Sequence, residues 1–175
     1  MSQTQIIGVV VAAVLLFWAV GGYNRLVGLR GAVRQRFIEV SEQVTRRHAL
    51  LLRQLDALAP VLTNAMPRIE SLRAACQQVE SACAHARQRP TTPEAITSLH
   101  LAEVILGEAR GRLPVQAAPG IDLTESNAGL AAADAALAFA RDRFNEAVIE
   151  YNQAARQFPT RLLALLFSFQ RGGTL

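Results

Sequence analysis

The sequence predicts an all-α fold, in which an N-terminal transmembrane helix is continuous with an antiparallel four-helix, coiled-coil-like bundle. Residues 6–23 form an uncharged apolar run. The segments after it repeat apolar residues at steps of three and four, which places them on one helix face. No segment alternates apolar and polar residues over the length of a strand. We therefore expect an anchor at 1–23, a helical bundle at 24–159 and an apolar, membrane-proximal tail at 160–175.

The composition supports helices and argues against a nucleic-acid partner. Hydrophobic residues make up 51% of the 175 residues, but aromatic residues only 6%. All 18 basic residues are arginine, and the formal net charge is +4. The arginines are spread along every predicted helix among acidic residues, whereas nucleic-acid binding requires basic residues gathered on one face. We expect no nucleic acid among the partners.

The apolar run from Ile6 to Tyr23 is long enough to serve as a membrane anchor. Its 18 residues give ~27 Å of helix, close to the ~30 Å of a hydrocarbon core. Trp18 and Tyr23 lie towards one end, where aromatic side chains favour the membrane interface. A cleaved signal peptide is the alternative, since Ala19-Val20-Gly21 is a tolerable cleavage site, but no basic residue precedes the run. We favour an uncleaved anchor.

The basic residues beside the anchor predict its orientation. Arg25, Arg30, Arg34 and Arg36 follow the apolar run, whereas residues 1–5 carry no basic side chain. Basic residues favour the cytoplasmic side of a membrane, so we expect the N-terminus outside and the bundle in the cytoplasm. Long segments can cross a membrane regardless of charge, which leaves a periplasmic bundle as the alternative.

Prolines separate the first two bundle helices. The first helix is expected at about 24–58, directly continuous with the anchor, because no proline interrupts it before Pro60. Pro60 and Pro67 bracket the turn into the second helix, expected at about 67–88. Pro90 ends that helix, because the residue before a proline avoids the helical region.

Capping residues mark the last two bundle helices. The third, at about 93–112, opens with Thr92 as N-cap and Pro93 at the first helical position. The fourth, at about 123–158, starts near Asp122, with Glu125 three residues on at a capping-box spacing, and is stopped by Pro159. Each stripe must be buried against neighbouring helices, and a four-helix bundle buries all four.

Two stretches of the sequence carry a family resemblance. After the anchor come Tyr23-Asn24-Arg25-Leu26-Val27-Gly28-Leu29-Arg30 and Arg46-Arg47; later come Ala140-Arg141-Asp142-Arg143-Phe144-Asn145-Glu146-Ala147-Val148, Tyr151-Asn152, Phe158-Pro159 and the apolar segment 164–169. In this order they resemble the LemA family of bacterial membrane proteins. Residues 48–53 and the loop before the last helix depart from the family pattern, which indicates a divergent member. The resemblance implies a single-pass protein of the bacterial inner (cytoplasmic) membrane with a coiled helical domain, and no known reaction.

Antiparallel helices allow heights along the bundle to be matched. Counted from Asn24 and Phe158 at ~1.5 Å per residue, Arg46 and Arg47 lie at ~33–35 Å and Asp134 at ~36 Å. We predict an ion pair between Asp134 and one of these arginines, the alternative being that all three side chains are solvated. Such a pair would serve helix register more than stability.

Further polar and aromatic residues are candidates for structural or interaction roles. They are Tyr23, Asn24, Arg141, Asn145, Tyr151, Asn152 and Phe158. Asn145 and Asn152 lie one heptad apart, and asparagines in a helix seam can fix register; a ligand-binding role is the alternative. Arg141 falls near the height of Glu39 and Glu42.

The tail contains a short apolar segment from Leu162 to Phe169, flanked by Arg161 and Arg171. Eight residues are too few to span a bilayer. We favour a segment that lies in the membrane interface with its arginines at the headgroups. The alternative is that the segment folds against the open end of the bundle.

No residue pattern indicates catalysis, a cofactor or a metal. Cys76 and Cys83 fall on the apolar stripe of the second helix and are expected in the core. Seven residues of helix separate them by ~10 Å, which is too far for a disulfide. His85 points ~200° away from Cys83 on the same helix, which argues against a shared metal. His48 and His100 are expected at the core edge or surface.

These observations favour a membrane-anchored helical scaffold or interaction protein that is not an enzyme. The expected partners are the lipid bilayer and other membrane or membrane-associated proteins. A membrane-sensing or membrane-organising protein that uses both the anchor and the apolar tail is the first alternative. An enzyme with a site between helices is the second, and it would need paired carboxylates or a Cys/His pair at matching heights.

Overall fold

The computed structural model describes residues 3–113, 120, 122–157, 160–167, 169 and 171–175, without the side chains of Thr4 and Leu165. Every regular element among them is helical. The elements are α1 (Gln3–Leu58), a short 3-10 turn (Thr63–Ala65), α2 (Met66–Gln88), α3 (Pro93–Gly111), α4 (Thr124–Arg156) and α5 (Thr160–Leu166). The predicted all-α class is confirmed.

The longest element, α1, combines the apolar run and the first bundle helix in 56 residues. Its apolar part holds an 18-residue window of mean hydropathy 2.4, none of which is buried in the fold. By length and composition this part can cross a membrane. Leu26 is the first residue of α1 that is fully buried, at 0% exposure, so the bundle begins three residues after Tyr23.

The core of the bundle is built from the predicted apolar stripes. α1 packs most extensively against α4, α2 packs against α3, and α1 also packs against α2. Phe37 of α1 and Phe144 of α4 meet edge to face at the centre of the seam, with ring centroids 5.4 Å apart. Both rings are fully buried, so they contribute hydrophobic burial and a favourable aromatic geometry.

The described chain returns to the place where α1 leaves the bundle. A Cβ atom built on Gly22 would lie 3.0 Å from Leu163 Cδ1 and 3.6 Å from Thr160 Cγ2. The start of α5 is therefore in contact with the last turn of the apolar run. α4 ends at Arg156, and the predicted helix end at Phe158, with Pro159, lies outside the described residues. We refer to the end of the bundle beside Tyr23 as the anchor end.

Candidate functional site

Aromatic contacts hold the tail at the anchor end. The ring of Tyr23 lies 5.0 Å, centroid to centroid, from Phe167 and 6.0 Å from Phe169. Ala164 of α5 is buried against the bundle. Tyr23 is therefore the aromatic contact of the tail at this end. The sequence did not predict that contact.

The outer face of α5 remains open. Leu162 and Leu166 of α5 are exposed by 58% and 75%, and Phe167, which follows α5 and touches Tyr23 with part of its ring, is exposed by 54%. The inner face of α5 packs against both α1 and α4. The inner face of this segment therefore folds against the bundle, as one of the two sequence alternatives has it, and membrane contact by the exposed side chains stays a prediction.

Two asparagines of α4 hold the segment that follows, which we call the strap (residues 171–175). The side-chain amide of Asn152 donates to Gly172 O at 3.0 Å, and Gly172 N donates to Asn152 Oδ1 at 2.9 Å. In the same way, the side-chain amide of Asn145 donates to the backbone oxygen of Leu175 at 2.9 Å, and Leu175 N donates to Asn145 Oδ1 at 2.8 Å. Each asparagine thus satisfies both backbone groups of one strap residue.

The spacing of the two asparagines matches an extended chain. One heptad of helix rises ~10.5 Å, and three residues of extended chain span ~10 Å. The strap runs antiparallel to α4, because Gly172 pairs with Asn152 and Leu175 with the earlier Asn145. Heptad-spaced asparagines on a straight helix can therefore bind every third residue of an extended backbone.

Glycine lets the strap lie between α4 and α3. A Cβ atom built on Gly172 would lie 3.0 Å from Val148 Cγ1 of α4, and one on Gly173 would lie 3.0 Å from the Cα atom of Pro93 in α3. Among the described residues, α3 and α4 do not pack extensively against each other. The strap consequently fills the gap between them near the anchor end.

This arrangement corrects the expected role of the two asparagines. They do not join two helices across a seam; they bind backbone groups of the strap. Sequence reasoning also missed Gly172 and Gly173. A pair of adjacent glycines following an amphipathic segment, together with heptad-spaced asparagines, is the signal that could have indicated a backbone clamp.

A charged cluster links α1, α3 and α4 higher in the bundle. Arg47, only 7% exposed, donates through Nη2 to both carboxylate oxygens of Glu103 at 2.6 Å. Arg47 Nη1 lies 3.8 Å from Asp134 Oδ1, so the predicted contact forms with Arg47. The closest cation to Asp134 is Arg110 at 2.7 Å, and Arg141 reaches Glu103 at 3.1 Å.

The remaining site candidates fall outside this cluster. Arg46 is exposed and forms no ion pair within the described part of the chain. Asn24 is exposed beside the anchor. Tyr151 is buried near the strap, and burial raises the pKa of its hydroxyl while the charge of Arg30 opposes the shift. Phe158 lies outside the described residues.

Arg141 and the nearby Arg143 form ion pairs with acids of different helices. Arg141 lies near the height counted for Glu39 and Glu42, but its ion pair is with Glu103 of α3. Arg143 instead approaches Glu39 Oε2 at 3.6 Å. The count of heights compared only α1 and α4, and Glu103 enters from α3.

A cleft of about 470 Å³ between α1 and α2 has Cys83, His48, Ser41 and Glu80 among its lining residues. His48 Nε2 is buried and has no hydrogen-bond partner among the residues that the structure describes. Burial, followed by the charge of Arg47, lowers the pKa of His48. Both cysteines are buried free thiols whose pKa burial raises. Among the described residues, no three His, Cys, Asp or Glu side chains are grouped to hold a metal ion.

Comparison with protein families identifies the family of the chain. The model of the LemA family matches residues 36–174. The match covers most of the chain, including the charged cluster and the strap up to residue 174, and the chain belongs to the LemA family. No curated protein matches the chain.

Proposed function

We propose, on the premise of LemA family membership, that this protein is a membrane-anchored helical scaffold that binds other membrane or membrane-associated proteins. The observation that carries the proposal is the continuity of α1. One helix of 56 residues holds both the exposed apolar window and the central stripe of the bundle core. A partner bound to the bundle would therefore be held at a fixed distance from the bilayer.

An exposed apolar row on α3 supports a protein partner. Leu101, Val104 and Ile105 are exposed by 58%, 45% and 37%, and their spacing puts them on one face of the helix. Phe139 of α4 is exposed by 64%. Contiguous exposed apolar side chains favour a binding surface, and this row lies on the bundle rather than on the apolar run.

The exposed face of α5 favours membrane contact as a second function. Leu162, Leu166 and Phe167 project from the anchor end, where Tyr23 marks the end of the apolar run. A short amphipathic helix with an apolar outer face can bury that face in the headgroup boundary. In this second function the protein senses or organises the membrane through both the anchor and α5.

The proposed location is the bacterial inner membrane, with the N-terminus outside and the bundle in the cytoplasm. An exposed residue near the start of α4, Ala128, is suited to a test because both native cysteines are buried. Ala128→Cys in intact cells should resist a membrane-impermeant maleimide and react after the membrane is opened. Labelling in intact cells at the full rate would instead place the bundle outside.

Site-specific photocrosslinking tests the scaffold. A photoreactive amino acid at Leu101 in membrane-embedded protein should yield defined crosslinked proteins that are lost when Val104→Glu is added. The same amino acid at the exposed Glu125 near the start of α4 is the control and should not yield them. Identical products at both positions, or products insensitive to Val104→Glu, would reject the α3 row as the partner surface.

Removal of the α5 apolar face separates the two functions. Leu162→Ser, Leu166→Ser and Phe167→Ser together should leave the Leu101 crosslinks intact if the protein is a scaffold. A membrane-sensing protein should instead lose a response to bilayer composition, measured by the proteolytic protection of the tail in vesicles.

A further inference from the structure

Two groups of arginines in the chain differ in their partners. Ion pairs within the described residues involve Arg36, Arg47, Arg73, Arg110, Arg112, Arg141 and Arg143. Six others border two clefts at the anchor end and form no ion pair there: Arg30, Arg34, Arg89, Arg156, Arg161 and Arg171. Arg46, Arg53 and Arg68, farther from the anchor end, also form no ion pair among the described residues. What distinguishes the six is that they are grouped around two clefts, where an added anion could meet several of them at once.

One cleft has a basic rim and an apolar floor. It encloses about 400 Å³ and is lined by Arg156, Arg161, Arg171, Ala155, Ala164 and Phe169. The three arginines come from three different elements, namely the end of α4, the start of α5 and the start of the strap. The clamp on Gly172 fixes the position of Arg171 next to it. None of the lining residues that the structure describes is Asp or Glu.

A second cleft is lined by arginines of α1 and of the turn after α2. It encloses about 290 Å³, and Arg30, Arg34 and Arg89 line it together with Thr91 and Thr92. The Arg30 guanidinium carbon lies 6.0 Å from the centroid of the Phe169 ring. Because Phe169 lines the first cleft and Arg30 lines the second, this contact connects the two clefts.

The first cleft sits at the level where a bilayer surface would lie. Thr160, next to Arg161, is beside Gly22, and Phe169 packs on Tyr23 at the end of the apolar run. The headgroup layer extends ~5–8 Å beyond the hydrocarbon core on each side. Arginine binds phosphate oxygens through paired N–H donors, and its aliphatic stem tolerates apolar surroundings.

We propose that the Arg156–Arg161–Arg171 cleft binds the phosphate of an anionic phospholipid headgroup, with the glycerol end of the lipid against Ala164 and Phe169. The proposal rests on the membrane anchoring proposed above. A basic rim above an apolar floor fits an amphipathic ligand. Inorganic phosphate would satisfy the same guanidinium groups but not the floor. The Arg30–Arg34–Arg89 cleft supplies adjoining positive charge.

Quenching of the lone tryptophan tests this inference in the full chain. The sequence contains one Trp, Trp18, which lies in the apolar run a few residues before Tyr23. Full-length protein is reconstituted in phosphatidylcholine vesicles in which either phosphatidylglycerol or a matched fraction of phosphatidylcholine is brominated. The ratio of the two quenching constants gives the preference for the anionic lipid.

Three charge-matched variants separate a site from bulk attraction. The wild type should prefer phosphatidylglycerol by about fivefold or more, the scale expected for basic residues at an anionic surface. The variant R156Q/R161Q/R171Q should reduce the preference to about one. The variant R46Q/R53Q/R68Q removes the same charge from exposed arginines farther from the anchor end and should retain the wild-type preference. R30Q/R34Q/R89Q should give an intermediate value.

The contradicting results are distinct. If brominated phosphatidylcholine quenches Trp18 but no preference for phosphatidylglycerol exists, anchoring stands and the headgroup site is rejected. Equal losses in the R156Q/R161Q/R171Q and R46Q/R53Q/R68Q variants would reduce the effect to net charge. A preference abolished by inorganic phosphate, but not by chloride at equal ionic strength, would assign the cleft to free phosphate. Absence of quenching by either lipid would reject both the anchor and the site.

Discussion

Arg47 and its partners show how one buried charge organises three helices. Arg47 and Glu103 expose only 9% of their side chains, whereas Asp134 exposes 38%. A buried charge that loses its partner is destabilising, while a partly exposed pair contributes little. The two acids therefore differ in importance although both contact the same arginine.

Substitution of the two acids tests this difference. Glu103→Gln should lower the free energy of unfolding by about 3–5 kcal/mol, because Arg47 remains buried without its carboxylate. Asp134→Asn should lower it by only about 0–1 kcal/mol. Denaturant unfolding in detergent, followed by circular dichroism, measures both. Similar losses for the two variants would contradict the account.

The burial of His48 predicts a pH dependence of stability. Its pKa is lowered from the ordinary value of 6.5, first by burial and then by the charge of Arg47. The unfolded chain therefore takes up a proton below about pH 6.5 that the folded chain does not. The contribution of neutral His48 is complete above that pH, decreases as the pH falls towards the folded pKa, and changes no further below it.

Comparison of two histidine variants isolates this contribution. The unfolding free energy should decrease less between pH 7.5 and pH 5 in His48→Gln than in the wild type. His100→Gln changes an exposed histidine and should follow the wild type. A His48→Gln variant with the full wild-type pH dependence would exclude His48 as the source.

At the scale of elements, the strap contributes most where its backbone is bound. Four hydrogen bonds join the side chains of Asn145 and Asn152 to the backbones of Leu175 and Gly172. Asn145→Ala with Asn152→Ala should release the strap without unfolding the helices, because both side chains lie at the edge of α4 and the core stripe is unchanged. Each lost hydrogen bond costs about 0.5–1.5 kcal/mol.

Limited proteolysis detects that release. Cleavage after Arg171 by trypsin should accelerate at least tenfold in the double variant, while the helical circular dichroism remains that of the wild type. Gln153→Ala changes an exposed neighbour on α4 and serves as the control. Unchanged cleavage in the double variant would mean that the asparagines do not hold the strap.

The elements differ in how far the sequence predicts them. The stripes of α1 to α4 were predictable because burial of one helix face imposes a period of 3.6 residues. The strap was not, since residues 171–175 have no periodicity and are held through backbone atoms. Glu103 was missed for a related reason: heights were matched between α1 and α4 alone. The contact between Arg47 and Asp134 followed from that match.

At the scale of the whole molecule, one geometry connects the proposals. α1 leads away from the apolar run, and the described chain returns through α4 and α5 to contact Gly22 and Tyr23. The return brings the clamped strap, the exposed face of α5 and six arginines to the anchor end. The outer face of α3 remains available on the bundle. Membrane contact and partner binding are thus assigned to different surfaces.

Electron–electron distances between spin labels test this geometry most directly. Labels at Asn24→Cys and Gln157→Cys, both exposed, are introduced in full-length protein with Cys76→Ala and Cys83→Ala. Their separation should be below about 20 Å. Labels at Asn24→Cys and Ala128→Cys should be about 40 Å apart, because α4 from Ala128 to its end at the anchor end has about that length at ~1.5 Å per residue. A long Asn24–Gln157 distance together with a short Asn24–Ala128 distance would contradict the return of the chain to the anchor end.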